Sequence, residues 1–275
     1  MMRKSFLLMA AVLALSGRLD AGGVLEMSAK HPEGPALVTN RIYSQGGMLR
    51  FDHLGTDGGV ITTMIFRDNE MIIVSHSEKK IHRINEAMMA ELEEKMAKGR
   101  AAMEKMQQQM ANMPPQQRAM MEKMMKGGMP GMPSKAALPP LRLEASGTGS
   151  WQSYSCKNYT VYKGDEKDQE VCAAPPSQVK GASEFVQAAR NMQEFYRKFQ
   201  ESLQMPGIAS MTKNPVEVMG QIDGVPVYTK VFANGVLQEE RFLSSAKEEG
   251  LADSTFAPPR GYKDQQFMPG AGGSK

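Results

Sequence analysis

The chain has 275 residues, 41% hydrophobic and 23% charged, with a formal net charge of +3. These proportions exclude a collagen, a polytopic membrane protein and a wholly disordered chain. Much of the basic excess sits at Arg3, Lys4 and Arg18, and the remainder is near neutral, so there is no electrostatic footprint for nucleic acid.

The first residues read as a signal peptide over 1–21. Arg3 and Lys4 form a positive start, Phe6–Leu15 is an unbroken apolar run, and small residues follow at Ser16, Gly17 and Ala21. The run is well short of the ~20 residues that span a bilayer. Cleavage is expected after Ala21, with Ser16 as the competing site. No Cys lies near either position, so a lipid-anchored product is not expected. The expectation is a periplasmic or secreted protein without a transmembrane segment.

Strand signals fill the next stretch, from Val24 to Ile84. Val60–Phe66 and Met71–Val74 are rich in β-branched residues and are bounded by Gly58-Gly59 and Asp68-Asn69. Glu78-Lys79-Lys80 then turns the chain into Ile81–Ile84. Connections this short predict antiparallel hairpins.

At Asn85 the period changes. Met89, Met96, Met103 and Met110 are seven apart, with Leu92, Gly99, Met106 and Met113 three after each. That is a heptad pattern on a helix. Pro114-Pro115 interrupts it, and Met120, Met121, Met124 and Met125 make a shorter helical piece ending at Gly127-Gly128. Residues 86–133 thus form a Met-rich helical insert, carrying 13 of the 25 Met.

A hairpin is predicted around Gly164-Asp165, pairing Tyr154–Tyr162 with Glu166–Ala173. A helix capped by Ser183 follows, with Phe185, Ala189, Met192, Tyr196, Phe199 and Leu203 as its apolar stripe. Val216–Ile222, Val225–Ala233 and Val236–Ser244 then read as a β-meander with turns at Asp223-Gly224 and Asn234-Gly235. Residues 264–275 read as a flexible tail, leaving one domain over 22–263.

Several of these segments resemble a bacterial family of exported proteins whose domain has no assigned function. The segments are Met48–Asp52, Thr63–Arg67, Met71–His76, Lys79–His82, Ser155–Val161, Gly224–Phe242 and Thr255–Lys263. That family is distantly similar to the outer-membrane lipoprotein carriers of the LolA/LolB type. The resemblance implies an α+β fold: a strongly curved antiparallel β-sheet, a half-open barrel with covering helices on its concave side. In the carriers that cavity holds acyl chains.

The side chains that could carry chemistry are few. Cys156 and Cys172 are equidistant from Gly164, so a hairpin turning there sets them face to face, and an oxidising compartment favours a disulfide. His76 and His82 are symmetric about Lys79 and could be cross-strand neighbours, although no third ligand is fixed by spacing. Asp52, Asp57 and Asp68 read as turn carboxylates. No phosphate loop, zinc helix or nucleophile elbow appears, so a non-enzyme without a cofactor is expected. The Met run admits a pliable apolar surface, self-association through the heptad face, oxidant buffering, or a soft Cu(I) site at Met120, Met121, Met124 and Met125. The leading expectation is a periplasmic binding protein for a hydrophobic ligand or lipid-bearing partner. The alternative is a Met-rich copper-handling or oxidant-buffering protein.

Overall fold

A computed structural model describes residues 21–111, 141–203 and 220–265. The expected signal peptide lies outside them except for Ala21. So do Pro114-Pro115, the Met120–Met125 cluster, and the tail beyond Gln265.

Among the described residues, twelve strands form one open sheet. They are β1 (Gly22–Lys30), β2 (Leu37–Gln45), β3 (Met48–Leu54), β4 (Val60–Arg67), β5 (Glu70–Ser75), β6 (Lys80–Ile84), β7 (Leu141–Trp151), β8 (Tyr154–Lys163), β9 (Glu166–Ala174), β10 (Val225–Ala233), β11 (Val236–Glu249) and β12 (Lys263–Gln265). Their order is β12-β6-β5-β4-β3-β2-β1-β11-β10-β9-β8-β7. Every pairing is antiparallel except β12 on β6, so the expected all-antiparallel sheet is in fact mixed at one edge. The boundary placed after Lys263 falls inside β12.

Tight turns set the registers. Asp68 and Asn69 both take positive φ (51° and 55°), as do Asn234 and Gly235 (50° and 76°), the geometry of two-residue turns that match strand twist. Gly164-Asp165 joins β8 to β9 as expected. Two expectations fail. Gly220 and Gln221 are helical, so Val216–Ile222 is not a strand as far as it is described. Asp223-Gly224 accordingly leads into β10 from a non-strand segment. Gly224 has φ +132°, and an added Cβ would lie 2.6 Å from the Ala174 carbonyl oxygen.

Helix α1 (Glu86–Ala111) begins where Asn85 Oδ1 accepts the Met88 N–H at 3.1 Å, an N-cap. Its first turns reach the core through Met88, Met89 and Leu92. Helix α2 (Ala182–Leu203) lies on β1, β2 and β3. Ser183 is inside its first turn and does not cap it. Its buried residues among those described are Ala182, Phe185, Ala188, Met192, Phe195 and Phe199, so the stripe is rotated toward Ala188 and Phe195, with Ala189 and Tyr196 half-buried. Phe195 meets Phe66 of β4 at 5.6 Å between ring centres.

The opposite face of β4–β6 has its own cover. Phe256, in a short 3-10 turn (Asp253–Phe256), is fully buried and packs with Ile65, Ile72, Val74 and Ile81. Among the described residues no helix is long and apolar enough to cross a membrane.

Candidate functional site

Along β10, consecutive side chains alternate between the faces of the sheet. Thr229 points into a cavity and Tyr228 points away from it, into an aromatic cluster where its ring stacks on Trp151 at 3.9 Å. The cavity measures about 340 Å³. Leu25, Ile42 and Phe51 of β1–β3 and Phe185 of α2 form one wall; Val161, Val171 and Val225 of β8–β10 form the other.

Those walls imply strong curvature. Phe51 on β3 and Val161 on β8 are six strands apart in the sheet order. In a flat sheet that is ~29 Å, at ~4.8 Å per strand. Both line one small cavity, so the sheet curls until its two limbs face each other. The expected curl has a physical consequence: the inward alternating residues of distant strands meet.

The lining is polarised. Leu25, Ile42, Val161, Val171, Phe185, Ile222 and Val225 are buried, whereas Lys163 and Arg241 are exposed and mark the mouth. Arg241 Nε donates to Glu239 Oε1 at 2.5 Å, and Gln169 Nε2 donates to Asp168 Oδ2 at 3.1 Å. Among the described residues the lining carries no His, Cys or Ser, and no cluster of three or more His, Cys, Asp or Glu could hold a metal.

The expected disulfide is present. Cys156 and Cys172 are bonded, with Cα atoms 5.2 Å apart. They are not directly opposite, however. The two-residue turn pairs Lys163 with Glu166, and a bulge between Val161 and Tyr162 shifts the ladder again, so Cys172 faces Asn158. The net slip is two residues, which keeps both thiols on one face of the sheet and makes the bridge diagonal. That face is the one away from Val161, so the bridge braces the cavity wall without entering it.

The imidazoles do not come together. His82 pairs with Ile73, not with His76. His76 instead contacts Thr63 Oγ1 through Nε2 at 2.9 Å and the Tyr262 hydroxyl through Nδ1 at 3.1 Å. Asp52 is not in a turn. It is a buried residue of β3, 3% exposed, held by Arg50 Nε at 2.9 Å and by Thr63 Oγ1 at 2.5 Å. Asp57 and Asp68 do sit in turns. The thioether candidates Met120, Met121, Met124 and Met125 lie outside the described residues.

The cavity itself is unmarked in the sequence. Its residues carry only the alternation expected of any half-buried strand. The sole local hint is the pair of cationic mouth residues, Lys163 beside the hairpin turn and Arg241 on β11.

No family model matches the chain, and no curated protein matches it. Among solved structures, an uncharacterized conserved protein from Thermus thermophilus aligns over 90% of this chain and 92% of its own, with a TM-score of 0.43 and 7% identity. PNGF-II aligns over 90% of this chain but 31% of its own, with a TM-score of 0.40 and 11% identity. A LolA superfamily protein from Nitrosomonas europaea aligns over 88% of this chain and 91% of its own, with a TM-score of 0.28 and 6% identity. These are weak likenesses, and the LolA-type resemblance stands at that level.

Proposed function

We propose that this is a non-catalytic, exported binding protein whose curled sheet holds a hydrophobic ligand. The observation that carries the reading is the cavity of about 340 Å³, walled by buried aliphatic and aromatic side chains and opening at a polar rim. Enclosed apolar pockets with a few convergent polar groups are the general form of small-molecule sites. The Cys156–Cys172 bridge supports an oxidising compartment.

The test is uptake of an apolar fluorophore, N-phenyl-1-naphthylamine, by the purified protein and by Thr229→Trp. Thr229 lies on the wall, so an indole there fills the cavity. The expected result is saturable fluorescence enhancement in the parent and at least a tenfold loss in a variant with an unchanged melting profile. An equal signal from both proteins, or none from the parent, contradicts the proposal.

A further inference from the structure

The sheet ends in two edges, and only one of them is covered. At the first, β12 pairs with β6: Lys263 N donates to the Lys79 carbonyl at 3.0 Å, and Arg83 Nε donates to Asp264 Oδ1 at 2.8 Å. At the second, β7 pairs with β8 alone among the described residues. We propose that the edge of β7 over Gly147–Trp151 is a docking site for an extended, uncharged segment of another protein, which adds as a further strand and lays an aromatic side chain over Gly149. The site is on the face away from the cavity and is independent of the binding function proposed above.

An open edge presents unpaired backbone N–H and C=O groups, and proteins commonly blunt it with Lys, Pro or a covering segment. Gly147–Trp151 carries neither Lys nor Pro and no charge at all. Gly147 and Gly149 are exposed, so the backbone itself is open, and a Cβ added at Gly147 would meet nothing within 4 Å. A bulge between Ala145 and Gly147 separates this stretch from the Arg142–Glu144 ion pair in the first half of β7.

The glycines also open a groove beside the edge. Gly147 and Gly149 are in register with Asn158 and Cys156, Asn158 with Cys172, and Cys172 with Tyr228. Directly opposed residues share a face. Where β7 has no side chain, a groove therefore runs between Trp151, Asn158, Cys172 and Tyr228, with Glu170 and Lys230 two residues further along their strands. Glycine inside a strand often marks the close approach of a ligand or another backbone. Strand addition draws affinity from main-chain hydrogen bonds and specificity from pockets for alternate side chains. The Trp151 and Tyr228 rings and the Cys172 sulfur favour an aromatic occupant. Glu170 is already matched by Lys167 at 2.7 Å and Lys230 at 3.9 Å, so the groove asks for no charge. A second copy of β7 does not fit, because it brings only Gly, Thr and Ser to the groove while its indole stays stacked on Tyr228. Pairing over so short a stretch also falls well below the ~1,200 Å² that a stable dimer buries.

Trp151 is the one Trp of the chain, so its emission reports this groove. The experiment titrates the purified protein with a peptide that alternates Thr and Val with Phe at its centre, kept soluble by a polyethylene glycol tail. One companion peptide is N-methylated at alternate residues, in both phases, which keeps the side chains and blocks strand pairing. The other has Ala in place of Phe. The expected result is a saturable change in emission with the first peptide and about tenfold weaker binding of each companion, the worth of one or two hydrogen bonds or one ring contact. Gly149→Val keeps a strand-forming residue and fills the groove, and should weaken the first peptide about tenfold with an unchanged melting profile. No emission change in the parent overturns the proposal, and so does an N-methylated peptide that binds as tightly as the first. A folded Gly149→Val protein that binds like the parent, or an Ala peptide that matches the Phe peptide, overturns the placement over Gly149. A concentration-dependent dimer that the peptide disperses overturns the choice of partner in favour of a second copy. If Gly149→Val does not fold, the N-methylated comparison on the parent decides by itself.

Discussion

Thr63 has a single hydroxyl proton and two neighbours in reach of it. The proton goes to Asp52 Oδ1 at 2.5 Å, so the contact with His76 must be the ring's Nε2–H donating to Oγ1. In the neutral ring Nδ1 is then the acceptor, and Tyr262 donates to it. The three donors run in series toward one buried carboxylate, and the chain of bonds begins on the C-terminal segment. No local signal announces this. Asp52 and His76 have the composition of turn residues, and the partner that gives His76 its role is 186 residues away in sequence. Tyr228 offers a sharper test at this scale. Burial, then its hydrogen bond to the Glu240 carboxylate and that group's charge, holds its phenol well above the ordinary value of 10.0. Below about pH 10 both folded and unfolded chains keep the proton; above it the unfolded chain releases it first, so stability is lost as pH rises. Urea unfolding between neutral and strongly alkaline pH should show a steeper alkaline decline in the parent than in Tyr228→Phe. Parallel curves would contradict the assignment.

At the scale of the element, what the sequence reveals depends on where burial leaves a mark. The turns at Asp68-Asn69 and Asn234-Gly235, and Gly164 in the β8–β9 turn, are legible because left-handed backbone selects those residue types. Strand β7 is not. Its Ser146–Ser150 stretch is exposed at every position, so no apolar alternation is imposed on it. The α2 stripe is recognisable but its phase is not, because Ala188 and Ala189 are chemically equal and only packing on β1–β3 chooses between them. The residues before Asp223 read as strand on β-branched content alone, whereas Gly220 and Gln221 are helical and Ile222 plugs the β8–β9 cluster. Removing the Cys156–Cys172 bridge with paired Ser substitutions should cost about 3 kcal/mol in the chain-entropy account of a loop this size, measured by urea unfolding under non-reducing conditions. At the entrance of α2, Gly23 of β1 lies against Gly181, and an added Cβ would sit 2.0 Å from the Gly181 carbonyl oxygen. Backbone cannot yield as a side-chain tip can. Gly23→Ala should therefore destabilise by about 1–3 kcal/mol, and a melting temperature equal to the parent's would show that the crossing is looser than described.

Across the whole molecule, one sheet is covered differently on its two faces. Helix α2 lies over β1–β3 on the cavity side. The segment after β11 straps the reverse face, where Arg50 and Arg67 hold the carbonyls of Thr255 and Phe256 and Phe256 fills the cluster beneath. That accounts physically for the Thr255–Lys263 stretch, which the sequence marks only by resemblance. With both faces of one limb covered, the curl toward the other limb is fixed, and the cavity between them is a property of the assembled sheet. No single segment encodes it, because Phe51 and Val161 must first be brought together by six strand pairings. The proposed function requires that this cavity be filled. Native mass spectrometry of the protein purified from the exported fraction, before and after solvent extraction, tests it most directly. The expected spectrum shows a fraction carrying a single lipid-sized adduct that extraction removes and that an apolar ligand restores one-to-one. A protein of bare polypeptide mass that takes up no adduct with dodecanoate or N-phenyl-1-naphthylamine would contradict it.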